Sequence, residues 1–482
     1  MKILMVSSEV SPFAKTGGLA DAVSALSLAL AASGHEVKIL LPRYYSINRD
    51  SLELCKKSAL VNTGWSEIPV DFYSCGTNPK YYFLDYEKLF GREGIYGSEF
   101  EPDYPDNPLR FSLLARAAFE LCRLIDFEPD IIHSHDWSGS MVPVILKYFE
   151  HKNFPDTKSV LTIHNMGYQG RYPYAAFRLL GLTDQFFTSA HFDYYGNINF
   201  LQAGILAADQ VNTVSVSYAK EIQTPQGGFG LDGLMRSLGD NLKGIVNGAD
   251  LTLWNPLKDT YIPENYSASD LSGKAKCKEA LQEYFGFPKN PDIPIVGMIG
   301  RLADQKGIHE VFEPVYGCMP RLCIETNAQF VVVGSGAPWC QDEIRSLSER
   351  YPNFRSFVGY NEEISHLVEA GSDYFLMPSR YEPCGLNQIY SMIYGTLPIV
   401  HSTGGLSDTV ENFNPETKTG TGFKFYDYSP EIILNTTKWA LSYFSDKEII
   451  RALQLSGMKK DFSWKKSAEA YVQMYKKLLE KS

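Results

Sequence analysis

The chain has 482 residues, 44% of them hydrophobic and 21% charged, the balance of a soluble globular protein with room for two large α/β domains or about three smaller ones. Lysine and arginine number 45 against 56 acids, a net charge of −11, which argues against general nucleic-acid or anionic-membrane binding. No apolar run reaches the length of a membrane span, the N-terminus reads as a strand rather than a signal peptide, and the eight scattered cysteines lack metal-site spacing, so a cytoplasmic chain with reduced thiols is expected.

Ile3 to Val6 reads as the first strand, and a loop through Pro12 leads to Lys15-Thr16-Gly17-Gly18. A helix follows with Leu19, Ala22, Val23, Leu26 and Leu30 on one face and Gly34 as its stop, and Val37 to Leu41 is the next strand. This is a β-α-β unit with a glycine turn at the crossover, but without the G-x-G-x-x-G spacing of a nicotinamide cofactor. Adjacent glycines permit close approach of a ligand, and Lys15 adds a mobile positive charge; a plain tight turn with a solvated lysine explains the same residues. Residues 43–110 are rich in Tyr, Gly and Pro and read as irregular surface excursions. Ile131-Ile132-His133-Ser134-His135-Asp136-Trp137 is a strand end with both imidazoles on one face, but no further His or Cys cluster completes a metal shell. Val160 to Ile163 is another strand, ending in His164-Asn165, and Gln210 to Val214 is the next.

The second half opens with a lysine-rich helix over 274–285 and a strand from Ile295 to Ile299, which ends in Gly300-Arg301-Leu302. Arg301 and Lys306 lie in one strand-to-helix turn, where they either converge on a dianionic group or remain two solvated surface cations. Phe330 to Val333, Ser356 to Val358 and Tyr374 to Met377 continue the strands, alternating with helices as in a second parallel sheet. From Cys384 onward Leu386, Ile389, Tyr390, Ile393 and Tyr394 share one helical face. Leu397 to Val400 is a buried strand, and Thr403-Gly404-Gly405 opens another helix. Two successive helix starts at one sheet edge suit an anion such as a diphosphate. Glu382 stands just before the first of them, either as an acid stabilised by the helix dipole or as a ligand for a hydroxylated group. Cys384 at a helix start is open to a lowered thiol pKa, or is a small buried residue. Over 464–479, Trp464, Ala468, Tyr471, Tyr475 and Leu479 form a stripe widened by Met474 and Leu478.

Five motifs occur in order: Lys15-Thr-Gly-Gly-Leu-Ala-Asp21, His133-x-His135-Asp136-Trp137, Gly300-Arg301-Leu302-x-x-Gln305-Lys306-Gly307, Glu382-Pro-Cys-Gly-Leu386 and Ser402-Thr-Gly-Gly-Leu-x-Asp408-Thr-Val410. Together they resemble bacterial glycogen synthases and plant starch synthases of the ADP-glucose type, over essentially the whole chain. The resemblance implies an α/β protein of two Rossmann-like domains facing across a cleft, the GT-B architecture. It puts an N-terminal domain at 1–245, a donor-binding domain at 246–460, and a C-terminal helix at 461–482 that packs back on the first domain. The implied reaction transfers glucose from ADP-glucose to the non-reducing end of an α-1,4-glucan with retention of configuration, releasing ADP. A related transferase using UDP-glucose or another acceptor, or a non-catalytic glucan-binding protein, are the alternatives.

By the same resemblance Glu382, His164, Arg301 and Lys306 are the catalytic set. Lys15, Gly17, Gly18, Asp21, Asp136, Asn165, Asn247, Tyr360, Cys384, Gly385, Leu386, Thr403, Gly404 and Gly405 would bind the donor, Tyr360 by stacking on the base. Tyr96, His133 and Trp137 would line the sugar or acceptor cleft. Departure of the leaving group puts charge on a phosphate, which needs a divalent ion or fixed cations and N–H groups. The chain contains no Asp-x-Asp triplet, so a reaction with no metal and no other cofactor is expected, with Lys15, Arg301, Lys306 and the two helix starts absorbing the charge. Gln202, Asn387 and His401 stand where relatives often carry lysine, threonine and arginine. Oligomeric state is not legible.

Overall fold

The computed structural model describes residues 1–480. The chain divides into two compact units, one of Met1–Gly248 together with the chain from Trp464 onward, the other of Ala249–Ser463. The divisions fall a few residues beyond 245 and 460, and backbone pairing explains why. Ile245 N–H donates to Thr213 O, and Ser467 Oγ donates to Val246 O at 2.7 Å, holding this stretch to the first unit. Ala249 N–H donates instead to Phe462 O, and Ala249 bridges to Ser463 in the second unit.

In the first unit the strands are β1 (Lys2–Val6), β2 (Glu36–Pro42), β3 (Glu53–Asn62), β4 (Glu67–Gly76), β5 (Lys80–Asp85), β6 (Ile131–His135) and β7 (Lys158–Ile163). A small antiparallel sheet of β8 (Arg171–Pro173), β9 (Asp193–Tyr194) and β10 (Asn197–Asn199) follows, then β11 (Gln210–Thr213) and β12 (Leu242–Gly244). The main sheet runs β12-β11-β7-β6-β1-β2-β5-β4-β3. It is parallel from β12 to β5, with Ile3 opposite both Val37 and Ile131. The order reverses at β1, whose neighbours β2 and β6 lead away in opposite directions. That is the switch point outside whose carboxyl ends α/β sheets bind ligands.

The 43–110 stretch is more regular than its composition suggests. β3 and β4 form a long antiparallel hairpin on the sheet edge, β5 joins them to β2, and the helix Asn107–Leu124 begins before residue 110. The edge strand β3 is exposed at most positions, so it lacks the apolar alternation that marks a half-buried strand.

The second unit holds β13 (Ile295–Ile299), β14 (Gln329–Gly334), β15 (Phe354–Val358), β16 (Tyr374–Met377), β17 (Leu397–His401) and β18 (Phe423–Phe425), in the order β15-β14-β13-β16-β17-β18 and all parallel. Helices cover both faces, so the strands read as near-continuous apolar runs. Alternate residues feed different cores: Phe330, Val332, Leu376 and Ile399 pack on one side, and Val331, Val333, Phe375 and Val400 on the other. Here the switch point lies between β13 and β16.

The last helix, Trp464–Leu479, buries Ala468, Tyr471, Met474, Tyr475 and Leu478 in the first unit's core. Its tyrosines enter a buried polar chain. Tyr475 Oη bonds His133 Nδ1 at 2.7 Å, His133 Nε2 bonds Thr162 Oγ1 at 2.6 Å, Thr162 donates to Asn212 Oδ1, and Asn212 Nδ2 donates to Tyr471 Oη at 3.1 Å. Among the described residues, no helix is long and apolar enough to cross a membrane.

Candidate functional site

Each unit carries motif residues at the carboxyl ends of strands at its switch point, β1 and β6 in the first and β13 and β16 in the second, and the Ser402 motif follows the next strand, β17. In the first unit, β1 runs into the glycine turn and β6 into Asp136. Lys15 Nζ pairs with Asp21 Oδ2 at 2.8 Å, both groups well exposed. Gly17 and Gly18 precede and open the helix Gly18–Ala32, and a Cβ added to either would meet nothing within 4 Å, so their faces are open.

Asp136 has φ +54°, a left-handed conformation that asparagine and aspartate tolerate better than most residues. Its carboxylate accepts the amide of His164 at 2.6 Å and that of Asn165 at 3.4 Å, fixing the turn after β7. Loss of solvent pushes the Asp136 carboxyl up to about 7, against the pull of those amides. His135 Nδ1 lies 3.2 Å from His164 Nε2, and the His133 and His135 rings sit 4.3 Å apart. Burial drives His133 and His164 down to about 3, and His135 well down too, so all three imidazoles are neutral at ordinary pH. No group of three or more His, Cys, Asp or Glu side chains is placed to hold a metal among the described residues. Asn247 is buried, and its Oδ1 has no hydrogen-bond partner.

Two of the expected cleft contacts are placed otherwise. His133 is fully buried with both ring nitrogens spent on Tyr475 and Thr162, which leaves it nothing to offer a ligand. Trp137 is buried against Phe111, Tyr96, Tyr172 and Phe200, an aromatic core in which its bulk does the packing. Tyr96 is half-buried, and its hydroxyl donates to Glu9 Oε1 at 2.8 Å. Glu9 is the residue that sequence reasoning passed over. It lies in a short polar loop with no periodic signal, and only the fold shows that it accepts from the Thr16 amide and hydroxyl and from the Gly17 amide.

In the second unit, the loop after β16 carries Ser379 and Glu382, and the turn after β13 carries Arg301 and Lys306. Glu382 is buried, and its Oε2 accepts from both Lys306 Nζ and Ser379 Oγ. Lys306 is thus paired with Glu382 instead of standing beside Arg301, whose guanidinium reaches Gln305 Oε1 at 3.4 Å and is otherwise turned to solvent. Gly300 next to it is open. Tyr360, just beyond β15, is 71% exposed, and its hydroxyl bonds Glu362.

The first helix start differs from expectation, and the second opens within the expected Thr403-Gly404-Gly405 turn. The first helix spans Asn387–Ile393, so Cys384, Gly385 and Leu386 form its approach and not its first turn. Asn387 Nδ2 ties that start to Ile299 O at 2.9 Å. At the second, Gly404 has φ +44°, and a Cβ there would run into the Glu382 carbonyl, as one at Gly405 would into that of Cys384. These glycines let the second turn lie directly on the first, and Gly405 N–H is spent on Glu382 O at 3.0 Å. Cys384 is buried beneath them, the small-residue role.

The departures from the common pattern have structural work. Gln202 Nε2 donates to the carbonyls of His191 and Asp193 and holds that loop. His401 bonds Ser379 O at 2.8 Å and stacks on Phe425, so it braces the loop whose serine holds Glu382.

The family described as Starch synthase catalytic domain matches residues 2–237, and Glycosyl transferases group 1 matches residues 282–443. With the two parallel-sheet units and their switch-point motifs, this defines a glycosyltransferase of the GT-B class. The glycogen synthase of Treponema denticola is 50% identical, covering 100% of this chain and 99% of that protein, and the one from an Anaeromyxobacter species is 43% identical over 99% of both. The solved catalytic domain of starch synthase IV from Arabidopsis thaliana, bound to ADP and acarbose, is 31% identical with a TM-score of 0.89 over 99% of each chain. A sucrose-phosphate synthase from Thermosynechococcus elongatus, 18% identical with a TM-score of 0.60, shares the fold. The chain belongs to the glycogen and starch synthase family.

Proposed function

We propose that the chain transfers glucose from ADP-glucose to the non-reducing end of an α-1,4-glucan, with retention at the anomeric carbon and release of ADP, in the cytoplasm. The observation that carries this reading is the buried Glu382 carboxylate held by Lys306 and Ser379, where the strand order switches. The ADP and acarbose bound by the starch synthase IV domain support an adenine nucleotide and an oligosaccharide as the ligand classes.

Cleavage of the bond from the anomeric carbon to the β-phosphate oxygen leaves negative charge on the diphosphate. Preorganised cations and N–H groups absorb such charge without reorganisation, and we assign Lys15, Arg301 and Lys306 to this task. A carboxylate already engaged by an ammonium and a hydroxyl is a weak nucleophile. Glu382 therefore acts on the sugar hydroxyls and on the developing positive charge, not by covalent attack. The acceptor's 4-hydroxyl then attacks on the face that the diphosphate leaves, and its proton passes to the departing phosphate oxygen. His164, fixed through its amide by Asp136, presents its carbonyl towards the anomeric centre; Asp21, Asn165 and Asn247 shape the sugar site, and Tyr360 stacks on the base. None of these steps asks for a cofactor.

Incorporation of labelled glucose into glycogen, with ADP-glucose and UDP-glucose compared before and after exhaustive chelation, tests the reading. ADP-glucose should be preferred and its turnover should survive chelation. Equal or better use of UDP-glucose, glucan binding without ADP release, or loss of activity reversed by Mg²⁺ would overturn the corresponding part.

A further inference from the structure

Glu9 lies three residues past β1 and is only 3% exposed. Its Oε2 accepts the Thr16 amide at 2.5 Å and the Gly17 amide at 3.3 Å, and its Oε1 accepts the Thr16 hydroxyl and the Tyr96 hydroxyl, each at 2.8 Å. The knot extends further: Ser8 Oγ lies 2.8 Å from Tyr96 Oη and 2.7 Å from Ser138 Oγ, two residues past Asp136. A buried carboxylate is tolerated only where its lone pairs are met by donors. Here neutral donors alone meet them among the described contacts, since the nearby ammonium of Lys15 goes to Asp21.

We propose that Glu9 is a positioning residue for donor binding. It draws the Thr16 and Gly17 amides inward and thereby fixes the turn that presents Lys15 and the open faces of Gly17 and Gly18 outward. An anionic donor then meets the turn through Lys15 and not through those two amides. This rests on the reading of the turn as part of the donor site. Because two of the four bonds come from consecutive backbone amides, Glu9 sets the shape of the turn itself and not merely the rotamer of one side chain.

The test uses the full chain with Glu9→Ala, Glu9→Gln and, as reference, Lys15→Ala, reading kcat and KM for ADP-glucose, KM for glycogen and the thermal midpoint. Glu9→Ala should lower kcat/KM for ADP-glucose by about tenfold to a hundredfold, the scale of removing hydrogen bonds to a charged acceptor, while KM for glycogen stays within about twofold of the parent. Glu9→Gln can still accept both amides with its oxygen while its NH₂ faces the two hydroxyls, so it should recover part of that loss and stay about threefold or more below the parent. If Glu9→Ala yields no folded protein, Glu9→Gln decides: a donor-specific loss of about threefold or more supports the assignment, and parent-like kinetics overturn it. Parent-like donor kinetics in both Glu9 variants, with Lys15→Ala impaired, would overturn the role of Glu9 alone. An equal loss towards donor and glycogen with a lowered midpoint would make Glu9 a general structural residue and also overturn it. Unchanged donor kinetics in Lys15→Ala would sink the donor-site reading of the turn, and the positioning role with it.

Discussion

Glu382→Gln keeps the side-chain shape and the acceptor for Ser379 while removing the charge that faces Lys306. The Lys306 side chain is 23% exposed and that of Glu382 8%, so the pair is neither a solvated surface bridge nor a sealed one. Exposed pairs are worth under ~1 kcal/mol, whereas breaking a buried pair costs ~3–5 kcal/mol. The pair is thus worth an intermediate ~2–3 kcal/mol of stability, and losing one preorganised electrostatic contact to the transition state should lower turnover by about 10²-fold or more. Lys306→Ala should fall in the same range, because it strands the carboxylate. If the two groups act as one unit, the double variant should be little worse than the poorer single one, as for other catalytic groups that act together. Initial rates with ADP-glucose at saturating glycogen close the cycle. Losses that simply multiply would refute the unit, and Glu382→Gln within about threefold of the parent would remove the carboxylate from the mechanism.

Tyr475→Phe leaves His133 Nδ1 without its partner in a fully buried site, which should cost ~1–3 kcal/mol of first-unit stability. At ~2–4 °C per kcal/mol for a domain of this size, calorimetry should show a visibly lowered midpoint, and an unchanged one would refute the structural role of the bond. The imidazoles give a pH dependence whose sign follows from their direction. His133 and His164 are held at about 3 and His135 is also lowered, so as pH falls below ~6.5 the unfolded chain takes up protons that the folded rings refuse, and stability drops. Asp136, held at about 7, keeps a proton that the unfolded chain releases above ~3.8, and so offsets one of the three between those values. From these four groups alone the net of two protons lowers stability by ~3 kcal/mol per unit fall in pH near pH 5, and His35 and His191, also lowered, act in the same direction. Denaturant titrations should therefore show lower stability at pH 5 than at pH 7, and the reverse order would contradict the burial of these rings.

Most of the framework was legible because the strands of both sheets are buried on two faces, and the helix Gly18–Ala32 carries its apolar residues at strict helical spacing. The hairpin β3–β4 was not, since the first six residues of the edge strand β3 are exposed and give no alternation to read. The site was legible as a set of turns and illegible as a set of contacts. Lys306 and Glu382 are 76 residues apart, and nothing local in either turn says that they meet. Glu9 was missed for the converse reason: it is close in sequence to the turn it holds, but a single acid in an aperiodic loop has no pattern.

The two glycine pairs, alike in sequence, do opposite things. Gly17 and Gly18 face open space, whereas Gly404 and Gly405 are required because the Glu382 and Cys384 carbonyls occupy the volume where their side chains would stand. In both turns amides are drawn inward, by the Glu9 carboxylate in one unit and by the Glu382 carbonyl in the other. Those N–H groups are therefore spent on holding the turn and cannot also absorb the charge of a leaving diphosphate. On the proposed function, the burden that sequence reasoning placed on these amides passes to the side-chain cations Lys15, Arg301 and Lys306. Two of these cations are held by carboxylates, Lys15 by Asp21 from its own turn and helix and Lys306 by Glu382 from the neighbouring loop, so the acids fix where the two ammonium groups stand.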